Sequence, residues 1–151
     1  MKHEIKKELR KQEKINYKLI KEIANECNRE NIENLLKNGA EINGFDKNGD
    51  TSLIIALQKN PIDIELIDFL LNQDDIDVNS SGDSAKYKTP LMYAASLKPE
   101  SDAMKICKMF MQKDCNVSLT SNADSEEWTA IDYAKSVGNN EVADYLIGNV
   151  E

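Results

Sequence analysis

Apolar positions recur in short helical bursts, separated by loops rich in Asn, Asp, Gly and Ser. Residues 51–56, 89–94 and 129–134 share one pattern: Thr, small, aliphatic, any residue, bulky, Ala. The threonines (Thr51, Thr89, Thr129) suit the cap of a helix whose next turn buries the aliphatic residue and the alanine. Alanine at that point lets a second helix approach closely. Downstream of each segment comes an apolar stripe: Leu66-Ile67 with Leu70-Leu71, Ile106-Cys107 with Phe110-Met111, and Val142-Ala143 with Leu146-Ile147. Spacing of i, i+3, i+4 places each stripe on one face of an amphipathic helix. The pattern predicts a helix, a turn and a second helix, three times over.

An earlier copy lacks the threonine but keeps the second helix, with Ile32, Leu35 and Leu36 followed by Asn38-Gly39-Ala40. Gly39 is placed to end that helix in the left-handed region. Glu41-Ile42-Asn43 follows, echoed by Asp77-Val78-Asn79 and more weakly by Asn116-Val117-Ser118. Turn residues then lead back to the next threonine, which predicts a hairpin-like finger between repeats. At the chain start, Ile5, Leu9, Ile15, Leu19, Ile20 and Ile23 predict one long basic helix or two short ones.

Three motifs recurring in one order, Thr-Pro-Leu at 89–91, Leu-Leu-x-x-Gly-Ala at 35–40 and the x-Ile/Val-Asn fingers, resemble ankyrin repeats. Tetratricopeptide and HEAT arrays also pair helices, without this finger. The resemblance covers about residues 16–148. It implies a mainly α solenoid of about four repeats, antiparallel helix pairs joined by β-hairpin-like fingers, behind an N-terminal basic helical cap. The expected division is a basic extension at 1–15, repeats at about 16–45, 46–83, 84–123 and 124–148, and a tail at 149–151. Thr51 to Thr89 spans 38 positions and Thr89 to Thr129 spans 40, against a family period of roughly 33. The additions fall in the turns between the helices of the two middle repeats, which hold Pro61 and Pro99, and in the fingers before Thr89 and Thr129. Asn60-Pro61 reads as a cap with proline at the first helical position. The family's histidine after Thr-Pro-Leu is replaced by Ile54, Met92 and Asp132.

The predicted core is one ribbon of Leu35, Leu36, Leu53, Ala56, Leu70, Leu71, Leu91, Ala94, Ala95, Phe110, Ile131, Ala134 and Leu146. Charge is uneven along the chain. Residues 1–23 carry eight Lys/Arg against four Glu, so a net charge of −8 leaves −12 on residues 24–151. A body so acidic repels phosphate backbones, which argues against nucleic acid as a partner. Cys27, Cys107 and Cys115 lack the spacing of a disulfide framework or zinc site and read as small buried hydrophobes in a reducing compartment. The start of the chain is charged throughout, unlike a secretory signal, and the longest aliphatic run, 53–57, is too short to span a bilayer. The expected location is the cytoplasm or nucleus, with no membrane contact.

No phosphate-binding glycine loop, metal-ligand cluster or Ser/His/Asp set is present in the sequence, and His3 is the sole histidine. The chain is therefore expected not to be an enzyme and to need no cofactor or metal. What the resemblance implies instead is a protein–protein interaction module, an adaptor or inhibitor gripping another protein by the concave face and finger loops. The matching positions are Lys47, Asn48, Asp50, Gln58 and Lys59; Lys86, Tyr87, Lys88, Ser96 and Leu97; and Glu126, Trp128, Ser136 and Val137. Trp128 stands out as the proposed centre of that face, the alternative being that it folds back over the loop at 120–125. The protein is expected to be a monomer on its own, with self-association through the last helix as the structural alternative. Asn43 and Asn79 also resemble finger asparagines that hydroxylases modify, beside their plainer role of stabilising the hairpin.

Overall fold

A computed structural model describes residues 1–83, 87–121 and 126–150. Among them run eight helices: α1 (Lys2–Ala24), α2 (Arg29–Lys37), α3 (Ser52–Leu57), α4 (Ile64–Leu71), α5 (Pro90–Ala95), α6 (Glu100–Met111), α7 (Ala130–Ser136) and α8 (Asn140–Ile147). Each odd-numbered helix packs on the even one after it. The odd helices also pack in file, α1 on α3, α3 on α5 and α5 on α7, as do α4 on α6 and α6 on α8. The result is two parallel rows of helices, four repeats deep.

Local sequence sets the helix ends. The side chains of Asn28, Thr51 and Asp63 accept the backbone N–H groups of Asn31, Ile54 and Leu66, satisfying donors that the first turn leaves unpaired. At the end of α2, Gly39 adopts φ +99°, and the N–H groups of Gly39 and Ala40 close back on the Leu36 and Leu35 carbonyls. This is the glycine-dependent stop that the sequence predicts. Where the family histidine is missing, other acceptors serve. Asp132 Oδ2 takes the Thr129 N–H at 2.9 Å, and Met92 Sδ takes the Thr89 N–H at 3.3 Å.

Helices as short as α3 and α5 are marginal alone, so packing supplies their stability. One apolar cluster runs from Leu19 to Leu146 and includes Leu53, Ala56, Leu70, Leu71, Leu91, Ala94, Ala95, Phe110 and Ala134, as predicted. Leu35, Leu36 and Ile131 pack against it only half-buried. The reason is their place in the stack: Leu35 and Leu36 lie on the first helix of the outer row, and Ile131 on the last helix of the inner one. Their counterparts inside the stack, Leu70, Leu71, Leu53 and Leu91, are at most 2% exposed because a neighbouring repeat covers them.

One feature differs from the expectations, and one choice between alternatives is settled. Asn60-Pro61 does not begin a helix; its peptide bond is cis, and α4 starts three residues later under the Asp63 cap. Asp63, a carboxylate beside a helix N-terminus, is the stronger cap. The chain start is a single helix, continuous through residues 15 and 16. Leu19 and Ile23 are fully buried, whereas Ile5 and Leu9, on the same stripe, are 55% and 58% exposed because the helix overruns the stack. Among the described residues no helix is long and apolar enough to cross a membrane.

Candidate protein-binding face

The fingers are tied to one another by asparagine. Asn16 accepts the Glu41 N–H, Asn43 the Asp77 N–H and Asn79 the Asn116 N–H, each at 2.8 Å. Asn43 Nδ2 also donates to the Asp75 carbonyl at 2.6 Å, so both polar atoms of its side chain are engaged. The first finger is thereby hung from α1, and each later one from the finger before it. At the tip of the first finger, Asp46 accepts the N–H groups of Asn48 and Asp50, and Phe45 and Thr51 form a single antiparallel bridge. Gly82 of the next finger passes so near that a Cβ there would lie 2.1 Å from the Gly49 carbonyl oxygen. Only glycine permits that approach.

These ties fix the height of the side chains beside the inner helices. Lys88, just before the α5 cap, lays its ammonium 4.2 Å from the centroid of Tyr93 on α5 and 4.5 Å from that of Tyr133 on α7. Cations are attracted to aromatic faces at such distances. Gln58 and Asp50 lie near enough to the Tyr93 side chain to act on its hydroxyl. Burial first, then the Asp50 charge, raise the Tyr93 phenol above its ordinary pKa. Trp128 meets Tyr133 edge-on, with centroids 5.2 Å apart, and its indole N–H donates to Glu126 at 2.6 Å. The Tyr133 hydroxyl is 2.9 Å from Ser121 Oγ, and the Ser121 N–H donates to the Trp128 carbonyl.

Five sequence-predicted residues thus converge: Asp50, Gln58, Lys88, Glu126 and Trp128. Lys47, Asn48 and Tyr87 stand exposed on the finger side, and Ser136 and Val137 are exposed at the end of α7. Two others turn inward. Lys59 caps α1, donating to the Ile23 and Ala24 carbonyls at 2.9 and 3.3 Å and to Cys27 Sγ at 3.0 Å. Leu97 packs on the core, and its carbonyl accepts from the buried Asn139. Ser96 is half-buried, its hydroxyl bonded back to the Met92 carbonyl. Lys86, and residues 122–125 over which Trp128 is alternatively expected to fold, lie outside the described residues.

The residues that join the group, Tyr93 and Tyr133, were not among the predicted site residues. Their signal was the bulky position of the Thr-to-Ala pattern, held by Ile55, Tyr93 and Tyr133. All three are half-buried although the alanine that follows each is fully buried. A position that keeps bulk without full burial points outward along the inner row. Among the described residues no group of His, Cys, Asp or Glu is placed to hold a metal.

Comparison with curated proteins finds no match. A family model described as ankyrin repeats (3 copies) matches residues 19–121 and 63–151, and together these spans take in most of the chain. With two rows of short helices, capped finger turns and matches over that length, the chain belongs to the ankyrin-repeat family.

Proposed function

We propose that this chain is a non-catalytic adaptor or inhibitor that holds a partner protein on the inner helix row and the fingers above it. Ankyrin repeats are generally protein–protein interaction modules. The observation that carries the reading for this surface is the run Lys88–Tyr93–Tyr133–Trp128, which crosses from the third repeat to the fourth. Half-buried aromatic side chains held by neighbours give large contact area with little further ordering, and Tyr and Trp are enriched where binding energy concentrates. Asp50, Gln58 and Glu126 supply polar atoms around them, while Lys47, Asn48, Tyr87, Ser136 and Val137 form the rim. The binding body is the stack at 16–148, with residues 1–15 as an appended basic extension. An intracellular location, cytoplasmic or nuclear, suits the three free thiols.

The test is a comparison of the proteins retained by the immobilised chain and by a Tyr93→Ala/Tyr133→Ala variant with an unchanged helical spectrum. Loss of the retained set is expected. Full retention by the variant would move the binding surface elsewhere. Light scattering on the purified protein is expected to give a monomer. A dimer would favour self-association through the last repeat, where Ile147 and Val150 are 49% and 44% exposed.

A further inference from the structure

The two tyrosine faces that flank Lys88 form a slot for a cation, and the protein fills it with its own. Tyr93 and Tyr133 occupy equivalent positions on adjacent inner helices, so the slot lies where one repeat meets the next. Aromatic faces carry negative potential and repel anions. Around the slot the fixed charges are mainly carboxylates: Asp50 acts on Tyr93, Asp132 caps α7, and Glu126 holds the Trp128 indole. With these included, residues 24–151 carry a net charge of −12. Lys88 is half-buried, so part of its side chain already faces water.

We propose that the slot is the seat of a partner's cationic side chain, carried on an extended arginine-bearing segment along the inner row, and that Lys88 is the internal substitute displaced on docking. This rests on the reading that the inner face binds protein. Guanidinium is favoured over ammonium because it is planar, stacks on aromatic faces and is more weakly hydrated. It can lie between both rings, in the field of the Asp50 carboxylate that already acts on Tyr93. An acidic segment would meet several carboxylates around the slot. The bulky positions of successive repeats, Ile55, Tyr93 and Tyr133, offer the backbone of such a segment an apolar track across three repeats.

The single tryptophan makes the proposal measurable, because Trp128 touches Tyr133 and reports on its surroundings. The full chain is titrated with oligo-arginine, oligo-glutamate and uncharged Gly-Ser peptides of equal length, followed by calorimetry and Trp128 fluorescence. Oligo-arginine should bind saturably and weaken as salt is raised. Tyr93→Leu/Tyr133→Leu, which keeps apolar bulk and whose fold is checked by its helical spectrum, should weaken oligo-arginine binding about tenfold. Lys88→Gln, which empties the slot, should strengthen it several-fold. Unchanged oligo-arginine affinity in the tyrosine variant would reduce the attraction to diffuse acidity and overturn the slot. Unchanged or weaker binding to Lys88→Gln would overturn the displacement. If oligo-glutamate binds instead, and Lys88→Gln abolishes it, the inner face still binds protein but its partner is acidic. If no peptide binds and the retained proteins ignore the tyrosines, the reading of the face itself fails with it.

Discussion

Asn43 accepts the backbone N–H of Asp77 at 2.8 Å, across the gap between two fingers. Its amide donates to Asp75 as well, while the equivalent Asn79 accepts only from Asn116 among the described bonds. The recurrent finger asparagine is therefore a tie between repeats. Asn43→Ala should lower stability by about 1–2 kcal/mol, since two partly solvated backbone groups lose a partner. Asn79→Ala should cost less. Urea denaturation of the two variants measures both. Equal midpoints for wild type and Asn43→Ala would remove the ladder from the account of stability.

Asn139 makes a stronger tie on the opposite side. It is fully buried, donates to the Ala95 and Leu97 carbonyls at 2.9 Å each, and accepts from Lys98 at 2.6 Å. Those carbonyls sit at the end of α5, where a helix leaves acceptors unpaired. Asn139→Ala strands them and should cost about 2–3 kcal/mol. Lys98→Met removes an exposed partner and should cost well under half of that. The order of the two thermal midpoints is the check; a reversed order would mean that Lys98 holds the turn and Asn139 merely fills it.

The overrun of α1 ends in register with the first finger. Gln12 donates to the Gly39 carbonyl at 2.9 Å, and Asn16 bonds both the backbone N–H and the carboxylate of Glu41. Residues 1–10 are exposed throughout. Deleting residues 2–10 should shift the unfolding free energy by less than about 1 kcal/mol. Deleting through residue 16 should cost clearly more, because the first finger then loses its tie. Loss of cooperative unfolding in the shorter deletion would make the overrun an integral cap.

The fold was legible because its signals are local and repeated. Thr51, Thr89 and Thr129 precede helices, Gly39 takes the left-handed turn, and the apolar stripes lie in the core. What escaped was set by neighbours in space. Leu35 and Ile131 carry the same local signature as Leu70 and Leu91, and only the absence of a covering repeat separates them. Lys59 read as a binding residue because it follows the inner helix, yet it is drawn to carbonyls of α1 some 35 positions away in sequence. Tyr93 and Tyr133 became a pair only when α5 and α7 were set side by side, with Lys88 lowered between them by its finger.

The thiols give a pH dependence of known sign. Burial pushes Cys107 and Cys115 from 9.0 up to about 12, with Cys115 adding to the shift on Cys107. The unfolded chain releases these protons near 9, while the folded chain keeps them to about 12. The stability they contribute is whole below the unfolded value and is lost as pH rises through that window. Tyr93, raised above 10.0 by burial and Asp50, acts in the same direction. The urea midpoint of the reduced protein should therefore hold from neutral pH to about 9 and then fall steadily. Alkylation of the native protein should modify Cys107 last, since it is fully buried and protonated thiol is unreactive. A midpoint that stays flat to about pH 11 would contradict the shifts.

Trp128 separates a packing role from a binding role. Among the described residues its side chain meets Tyr133 edge-on and donates one hydrogen bond to the exposed Glu126. The bridge to Ser121 runs through the Trp128 backbone and survives any substitution. Truncation to alanine therefore removes little that the stack needs, and Trp128→Ala should shift stability by about 1 kcal/mol. If the inner face holds a partner, the same change removes a large anchor and lets Tyr133 tilt. Affinity for a retained partner should then fall by about 2 kcal/mol or more, roughly thirtyfold. Trp128→Phe keeps an aromatic edge without the indole N–H, so it should restore most of the stability and only part of the affinity. The competing outcome is a Trp128→Ala protein that melts markedly earlier and binds with unchanged affinity. In that case the indole is a clasp between Glu126 and Tyr133, and binding on the inner face must be carried by Tyr93 and the fingers of the earlier repeats.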